Sequence, residues 1–349
     1  MIPVASPIAE ALRLLSEGRS LTADQSSAAV GALMSEGVDH AEAGALLLEL
    51  RAKGETAAEI TGAAAALRAA MVVLPTEAPE ALVDTCGTGG GDVRTLNIST
   101  AAALLAAGAG VRVAKHGNRS HTSRSGSADV LEALGIPVEL APREAAQLLA
   151  ATGFTFMYAP LYHPAMRHVA PVRRDLGVRT MMNLLGPLAN PARAGRQVIG
   201  TAELHLAPLM AAALASLGTR HALVVHAEVG MDEISPVGAT QVWEVSEGKV
   251  ERWELRPEAF GHAAEGLEHL AGGEPGENAE RIEAVLSGAG GEAALRAAVV
   301  LNAAGAIYVA GLESGFGAAV GRADAALAAG AGRDALERVR AAATGMAGA

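Results

Sequence analysis

The chain reads as an α/β protein, with a small helical unit at its N-terminus and a large domain whose mainly parallel central sheet is flanked by helices. Three observations point there. Up to about residue 73, apolar residues recur at helical spacing. From residue 81, apolar runs of strand length alternate with Ala-rich helical stretches, the pattern of a parallel sheet covered on both faces. The length, 349 residues, exceeds one ordinary single-core domain and suits a large domain with a smaller companion.

The elements follow in order. "SPIAEALRLLSEG" sets Ile8, Leu12 and Leu15 at helical spacing. A second helix begins at a Thr22 cap and stops at Gly37; a third runs from an Asp39 cap to Gly54. Thr56 and Glu59 have the spacing of a capping box and open a fourth. "LPTEAPEA" is a connector. Then "ALVDTC", "VRVAKHG", "PVEL" and "FTFMYAP" read as strands, between the helices "NISTAAALLAAGAG", "SADVLEALG" and "PREAAQLLAATG". "GPLANP" reads as a rigid turn. Strand, helix and strand resume with "RQVIGTA", "HLAPLMAAALASLG" and "HALVVHAE", and "TQVWEVSEGKVERWEL" reads as a hairpin turning near Glu247-Gly248. The tail from about 291 is helical and compositionally biased at its end. No internal repeat is present.

Composition narrows the function. Half the residues are hydrophobic but only 3% are aromatic, so Ala, Leu and Val must build the core. A net charge of −11 argues against a general nucleic-acid binder, which needs a basic face, yet leaves room for anionic small ligands held by local charge. The single cysteine, Cys86, excludes an intrachain disulfide and a cysteine metal cluster. No apolar run approaches the roughly 18 uncharged residues of a spanning helix. The start lacks a basic n-region and carries Glu10, which makes a poor signal peptide. The expectation is a soluble cytoplasmic protein with no membrane partner.

Four segments carry chemistry. "DTCGTGGGDVRTLNIST" (84–100) joins a strand to a helix opened by Asn97, Ser99 or Thr100 through four glycines. Such a stretch reads equally as a tight turn or as a phosphate cradle, with backbone amides and a helix N-terminus facing the anion. It lacks the lysine of a P-loop and the later acid of a dinucleotide site. The second, "RVAKHGNRSHTSRSGSAD" (112–129), has four Lys or Arg and no acid between Arg112 and Ser127. It follows a strand end, where parallel sheets bind ligands, so Lys115, Arg119 and Arg124 are expected to meet anionic oxygens. The third, 163–192, sets Arg167, Arg173, Arg174 and Arg179 among apolar residues and prolines; an arginine beside Pro171 suits a carboxylate clamp. The fourth places Asp232 and Glu233 after a strand. Alone they read first as solvated acids and second as Mg²⁺ ligands.

Together these segments resemble the anthranilate phosphoribosyltransferase family. The chain carries its N-I-S-T helix start at 97–100, K-H-G-N-R at 115–119 and S-G-S-A-D-V-L-E-A-L-G at 125–135. It also carries H-P-A-M at 163, A-P-V-R at 170, N-L-L-G-P-L-A-N-P at 183 and D-E-I-S at 232. "AVVLNAAGAIYVAG" is similar to the family's C-terminal helix.

The resemblance implies a small helical domain of residues 1–73 joined by part of 165–190, and a large domain of 74–349. It implies transfer of the phosphoribosyl group of 5-phosphoribosyl 1-diphosphate to anthranilate with Mg²⁺, and a homodimer packed through the small domain. Carried over by position, Gly87, Gly90, Gly91, Thr95, Asn97, Ile98, Ser99 and Thr100 would hold the donor. Lys115, His116, Gly117, Asn118, Arg119, Ser120, His121, Thr122 and Ser123, with Ser127, would complete that site. Gly87, Asn118 and Arg173 would contact anthranilate; Ser99, Asp232 and Glu233 would serve the metal. Lys115, Asn118 and Arg173 are the candidate catalytic residues.

The family loop runs G-T-G-G-D-G, whereas this one runs Gly87-Thr88-Gly89-Gly90-Gly91-Asp92. A one-residue shift redirects a side chain, so Asp92 is expected to face solvent and to leave the metal to Asp232 and Glu233. The alternative is a loop rearranged to return Asp92 to the family position. Two other functions stay open here: a pyrimidine nucleoside phosphorylase, similar in fold, and a non-enzymatic relative that binds nucleic acid.

Overall fold

The structure, a computed structural model, describes residues 6–91, 93–120, 124–288 and 290–347. Four helices come first: α1 (Pro7–Ser16), α2 (Ala23–Leu33), α3 (His40–Lys53) and α4 (Ala57–Ala70). Ser6, Thr22, Asp39 and Thr56 cap them through side-chain oxygens. α2 and α4 approach so closely that a Cβ on Gly62 would lie 2.0 Å from the Ala23 carbonyl oxygen. Beside that contact, the buried Glu59 carboxylate accepts from the Leu21 amide at 2.8 Å and from Lys53 Nζ at 2.9 Å, which fixes the bundle's loops.

The large part begins with β1 (Val83–Gly87), α5 (Ile98–Gly108), β2 (Val113–Gly117), α6 (Ser127–Ala133), α7 (Pro142–Thr152) and β3 (Phe154–Tyr158). The short α8 (Ala159–Tyr162), α9 (Met166–Leu176) and α10 (Met182–Leu188) follow. Then come β4 (Arg196–Gly200), α11 (Leu206–Ser216), β5 (His221–Ala227), β6 (Thr240–Ser246) and β7 (Lys249–Leu255). α12 (Pro275–Leu286), α13 (Ala293–Ala310), α14 (Phe316–Ala328) and α15 (Ala331–Ala347) complete the chain. Among the described residues the sheet has the order β3-β2-β1-β4-β5-β6-β7. The first five strands are parallel, and β6 and β7 form an antiparallel hairpin at the edge. Its turn uses Glu247 and Gly248, both at positive φ, as tight hairpins require.

Alternate residues of each strand point to opposite faces. Val198, Leu223 and Val225 join a core with α5 and α13, while Ile199, Ala222 and Val224 join one with α11 and the helical bundle. The bundle therefore packs on one face of the sheet through α11, and α9 and α10 share its core.

Three expectations change. "PVEL" is not a strand: residues 136–140 are an irregular link between α6 and α7, apolar because Ile136 and Val138 fill the core. "GPLANP" is not wholly a turn, since Gly186 to Leu188 finish α10, Ala189 and Asn190 are irregular and the turn falls at Pro191 and Ala192. α13 comes nearer to spanning length than expected: it has 18 residues and enough apolar character to cross a bilayer, but most of it is buried in the core.

Candidate active site

The strand order creates a switch point between β1 and β4, neighbours whose connections leave in opposite directions. Their carboxyl ends open the crevice in which such sheets bind ligands. Gly87 and Gly200, the last residues of these strands, are partners in register. The loop after β5 folds over both. A Cβ on Gly200 would lie 1.5 Å from the Asp232 carbonyl oxygen, and one on Gly87 would lie 2.4 Å from Asp232 Oδ2. Glycine is required at 200, where the close atoms are backbone; at 87 a Cβ would displace the Asp232 carboxylate.

The glycine loop continues from β1. Gly89 and Gly90 have φ of +61° and +79°, and the Gly89 amide donates to Asp232 Oδ2 at 2.9 Å. Arg179, from the segment between α9 and α10, covers the loop. Its Nη1 donates to the Gly89 carbonyl at 2.8 Å, and its Nε lies 3.4 Å from Glu203. A Cβ on Gly90 would fall 1.3 Å from Arg179 Nη1. Arg51 of α3 donates to the Arg179 carbonyl, so bundle and loop are tied.

β2 delivers Lys115, which is 1% exposed. Its Nζ donates to the Thr85 carbonyl and, at 3.2 Å, to Ser99 Oγ at the start of α5. Behind it the buried Asp84 accepts from Asn190 Nδ2 at 2.8 Å and the His116 amide at 3.0 Å. Burial pushes Asp84 up and Lys115 down in pKa, and the charge of each opposes the shift of the other. Burial, then the Asp84 charge, also pushes the Cys86 thiol well up, so Cys86 is no thiolate nucleophile.

Asn97 stands at the N-cap of α5, but its side chain does not cap the helix. Instead its Nδ2 donates to the Ser125 carbonyl at 3.1 Å and its Oδ1 accepts from Asn278 at 3.0 Å. The N-terminus of α5 is left facing the crevice for an anion.

Glu233 accepts from Thr95 Oγ1 at 3.2 Å. Burial pushes Asp232 above the usual carboxylate range; burial, then the adjacent Asp232 charge, pushes Glu233 further. Among the described residues no third His, Cys, Asp or Glu joins them. Two half-buried carboxylates with no third acidic, His or Cys ligand among the described residues fit Mg²⁺, which keeps waters and takes phosphate oxygens from its substrate.

These groups enclose a cleft of about 240 Å³. Of the sequence-derived residues, Gly87, Thr95, Asn97, Ser99 and Thr100 line it, as do Lys115, His116, Gly117, Asn118 and Ser127, with Asp232 and Glu233 at its base. Others lie outside its lining. Gly90 and Gly91 sit in the loop beside it, and the Ile98 side chain is in the core. Arg119 does not offer a free guanidinium. It pairs with Glu132 at 2.5 and 2.7 Å and with Asp129 at 3.2 Å, because α6 turns its own acids toward it. Ser120 donates its amide to Asp129. The His116 ring turns to the Gly186 carbonyl and to His163, 5.0 Å away, and burial pushes its pKa down to about 3. Arg173 lies on α9, half-buried, with no ion-pair or hydrogen-bond partner among the described residues; burial lowers its pKa. Asp92, His121, Thr122 and Ser123 lie outside the described residues.

Residue-by-residue reading missed Gly200, Asp84, Thr85 and Asn190, and gave Arg179 no role. Gly200 carries a readable signal, a glycine ending an apolar strand.

Fold and site together define a glycosyl transferase. Residues 79–333 match the "Glycosyl transferase family, a/b domain", and residues 9–71 match the corresponding "helical bundle domain". The chain belongs, within it, to the anthranilate phosphoribosyltransferase family. It is 49% identical over 269 residues to the anthranilate phosphoribosyltransferase of Methanosarcina acetivorans, covering 77% of this chain and 72% of that one. Its fold is similar to the crystal structure of the Thermus thermophilus enzyme, with a TM-score of 0.90, 41% identity and coverage of 97% and 100% of the two chains. It is also similar to the Saccharomyces cerevisiae enzyme in complex with PRPP and Mg, with a TM-score of 0.87, 27% identity and coverage of 98% and 99%.

Gly90→Val should lower kcat/KM by about 100-fold, since displacing the loop by an ångström has that effect. Steady-state kinetics on folded variant will check it, and a rate within about threefold of wild type would contradict the packing of Arg179 on this loop.

Proposed function

We propose that this protein transfers the 5-phosphoribosyl group from 5-phosphoribosyl 1-diphosphate to the amine of anthranilate, releasing diphosphate, in tryptophan biosynthesis. One observation carries the reading: the half-buried pair Asp232 and Glu233 shares a crevice with Lys115 and the uncapped N-terminus of α5. Anion-binding groups thus face a pair of candidate metal ligands, an arrangement suited to a metal-bearing diphosphate. The relatives' shared activity favours this reading over phosphorolysis or nucleic-acid binding.

Asp232 and Glu233, with Ser99, would hold Mg²⁺; the yeast relative's complex with PRPP and Mg supports this. Bound there, Mg²⁺ would offset charge on the departing diphosphate. Lys115 and the α5 amides add positive potential at the same end of the donor. The C1–oxygen bond to diphosphate breaks, the bond from the aryl amine nitrogen to C1 forms, and one amine proton is released. An aryl amine is already neutral near pH 7, so the chain needs no strong base. Gly87 and Asn118 would position the amine, and Arg173, a guanidinium without a partner among the described residues, would bind the anthranilate carboxylate.

A homodimer through the helical bundle is part of the reading. Ala41, Ala45, Leu48 and Ala52 form an exposed apolar stripe along α3, in support of a second copy packing there. The lone cysteine supports a cytoplasmic location.

Anthranilate fluorescence should fall only when donor and Mg²⁺ are both added; no fall would sink the assignment. Arg173→Ala should cost about 1.5–3 kcal/mol, as a higher KM for anthranilate far more than for the donor. Equal effects on both substrates would mark a structural arginine instead. Light scattering should find a dimer that Leu48→Glu converts to monomer, and an unchanged mass for the variant would contradict the α3 interface.

A further inference from the structure

The acid loop is held from beneath by a residue of α13. Asn302 is 5% exposed on a helix whose buried positions are otherwise almost all apolar. Its Oδ1 accepts from the Ile234 amide at 3.0 Å, and its Nδ2 donates to the Ile234 carbonyl at 2.8 Å and to the Ala298 carbonyl at 2.8 Å. One carboxamide therefore grips both polar groups of the residue that directly follows Glu233. Gly305, one turn on, faces the same residue: a Cβ there would lie 3.1 Å from Ile234 Cδ1. α13 thus approaches this loop through a glycine and binds it through an amide.

A buried amide costs free energy unless its hydrogen bonds are made, and a leucine would otherwise suit this core position. The acid loop supplies a reason for the asparagine. Asp232 and Glu233 are adjacent and half-buried, and two carboxylates held side by side repel each other when both are charged. Anchoring Ile234 at both its amide and its carbonyl holds the loop against that repulsion.

We infer that Asn302 is a positioning residue, which holds the backbone of Ile234 so that Asp232 and Glu233 stay aimed into the cleft as a preformed divalent-cation site. The inference rests on reading these acids as metal ligands. It adds a group that does not touch substrate or metal, reaching the site from the far end of the chain.

The test is Mn²⁺ binding, followed by electron paramagnetic resonance in the presence of 5-phosphoribosyl 1-diphosphate, which needs no turnover. Asn302→Leu should weaken Mn²⁺ binding about tenfold or more, the usual effect of removing an outer-shell support. Leu295→Ala, a core truncation on the same helix, measures the effect of lost stability alone. It should leave Mn²⁺ affinity within about twofold of wild type. If Asn302→Leu does not fold, Asn302→Ser removes the carboxamide more gently and carries the same prediction. Wild-type affinity in the folded Asn302 variant, or equal weakening in Leu295→Ala, would overturn the positioning role alone. Failure of wild type to bind Mn²⁺ at all would overturn both this inference and the metal reading beneath it.

Discussion

The site depends on one close approach. The Asp232 backbone lies so near the end of β4 that Gly200 has no room for a Cβ, and the Asp232 carboxylate fills the space beside Gly87 at the end of β1. Because these two residues are register partners at the switch point, the acid loop closes the crevice at its floor. Other contacts follow from that placement: the Gly89 amide reaches Asp232, Thr95 reaches Glu233, and the glycine loop comes under Arg179. An alanine at position 200 would collide with backbone, which has no rotamer to retreat into.

Charge explains how an acidic chain prepares a site for anions. Net charge is −11, but the cleft's chemistry is set by a few groups whose partners are specified. Lys115 is buried against Thr85 and Ser99 with Asp84 behind it, so its position is fixed before a ligand arrives. Arg119, which sequence alone would also assign to ligand binding, is engaged by Glu132 and Asp129 and organises the start of α6. Arg173 has no such partner among the described residues.

Much of this was legible in the sequence, for identifiable reasons. The helix caps at Thr22, Asp39 and Thr56 are local hydrogen bonds between residues three apart, so they can be read directly. The β6–β7 hairpin announces itself through Glu247-Gly248. The cleft residues come from motifs that follow strand ends, and a parallel sheet gathers strand ends on one side. What was not legible depends on distant partners. "PVEL" has strand-like apolar residues, but they pack as a loop because no strand among the described residues pairs with them. Arg119 looked free because its acids lie ten or more residues away. Asn302 and Ile234 are 68 positions apart, and nothing local to either reveals the pairing.

In the proposed function, Asp232 and Glu233 form a cation site that recognises the diphosphate of the donor. Calorimetric titration of 5-phosphoribosyl 1-diphosphate into wild type and the Asp232→Asn/Glu233→Gln variant, each with and without Mg²⁺, tests it most directly. Mg²⁺ should strengthen donor binding to wild type and have little effect on the variant, whose neutral amides keep the shape of the loop. An equal response to Mg²⁺ in both proteins would contradict it.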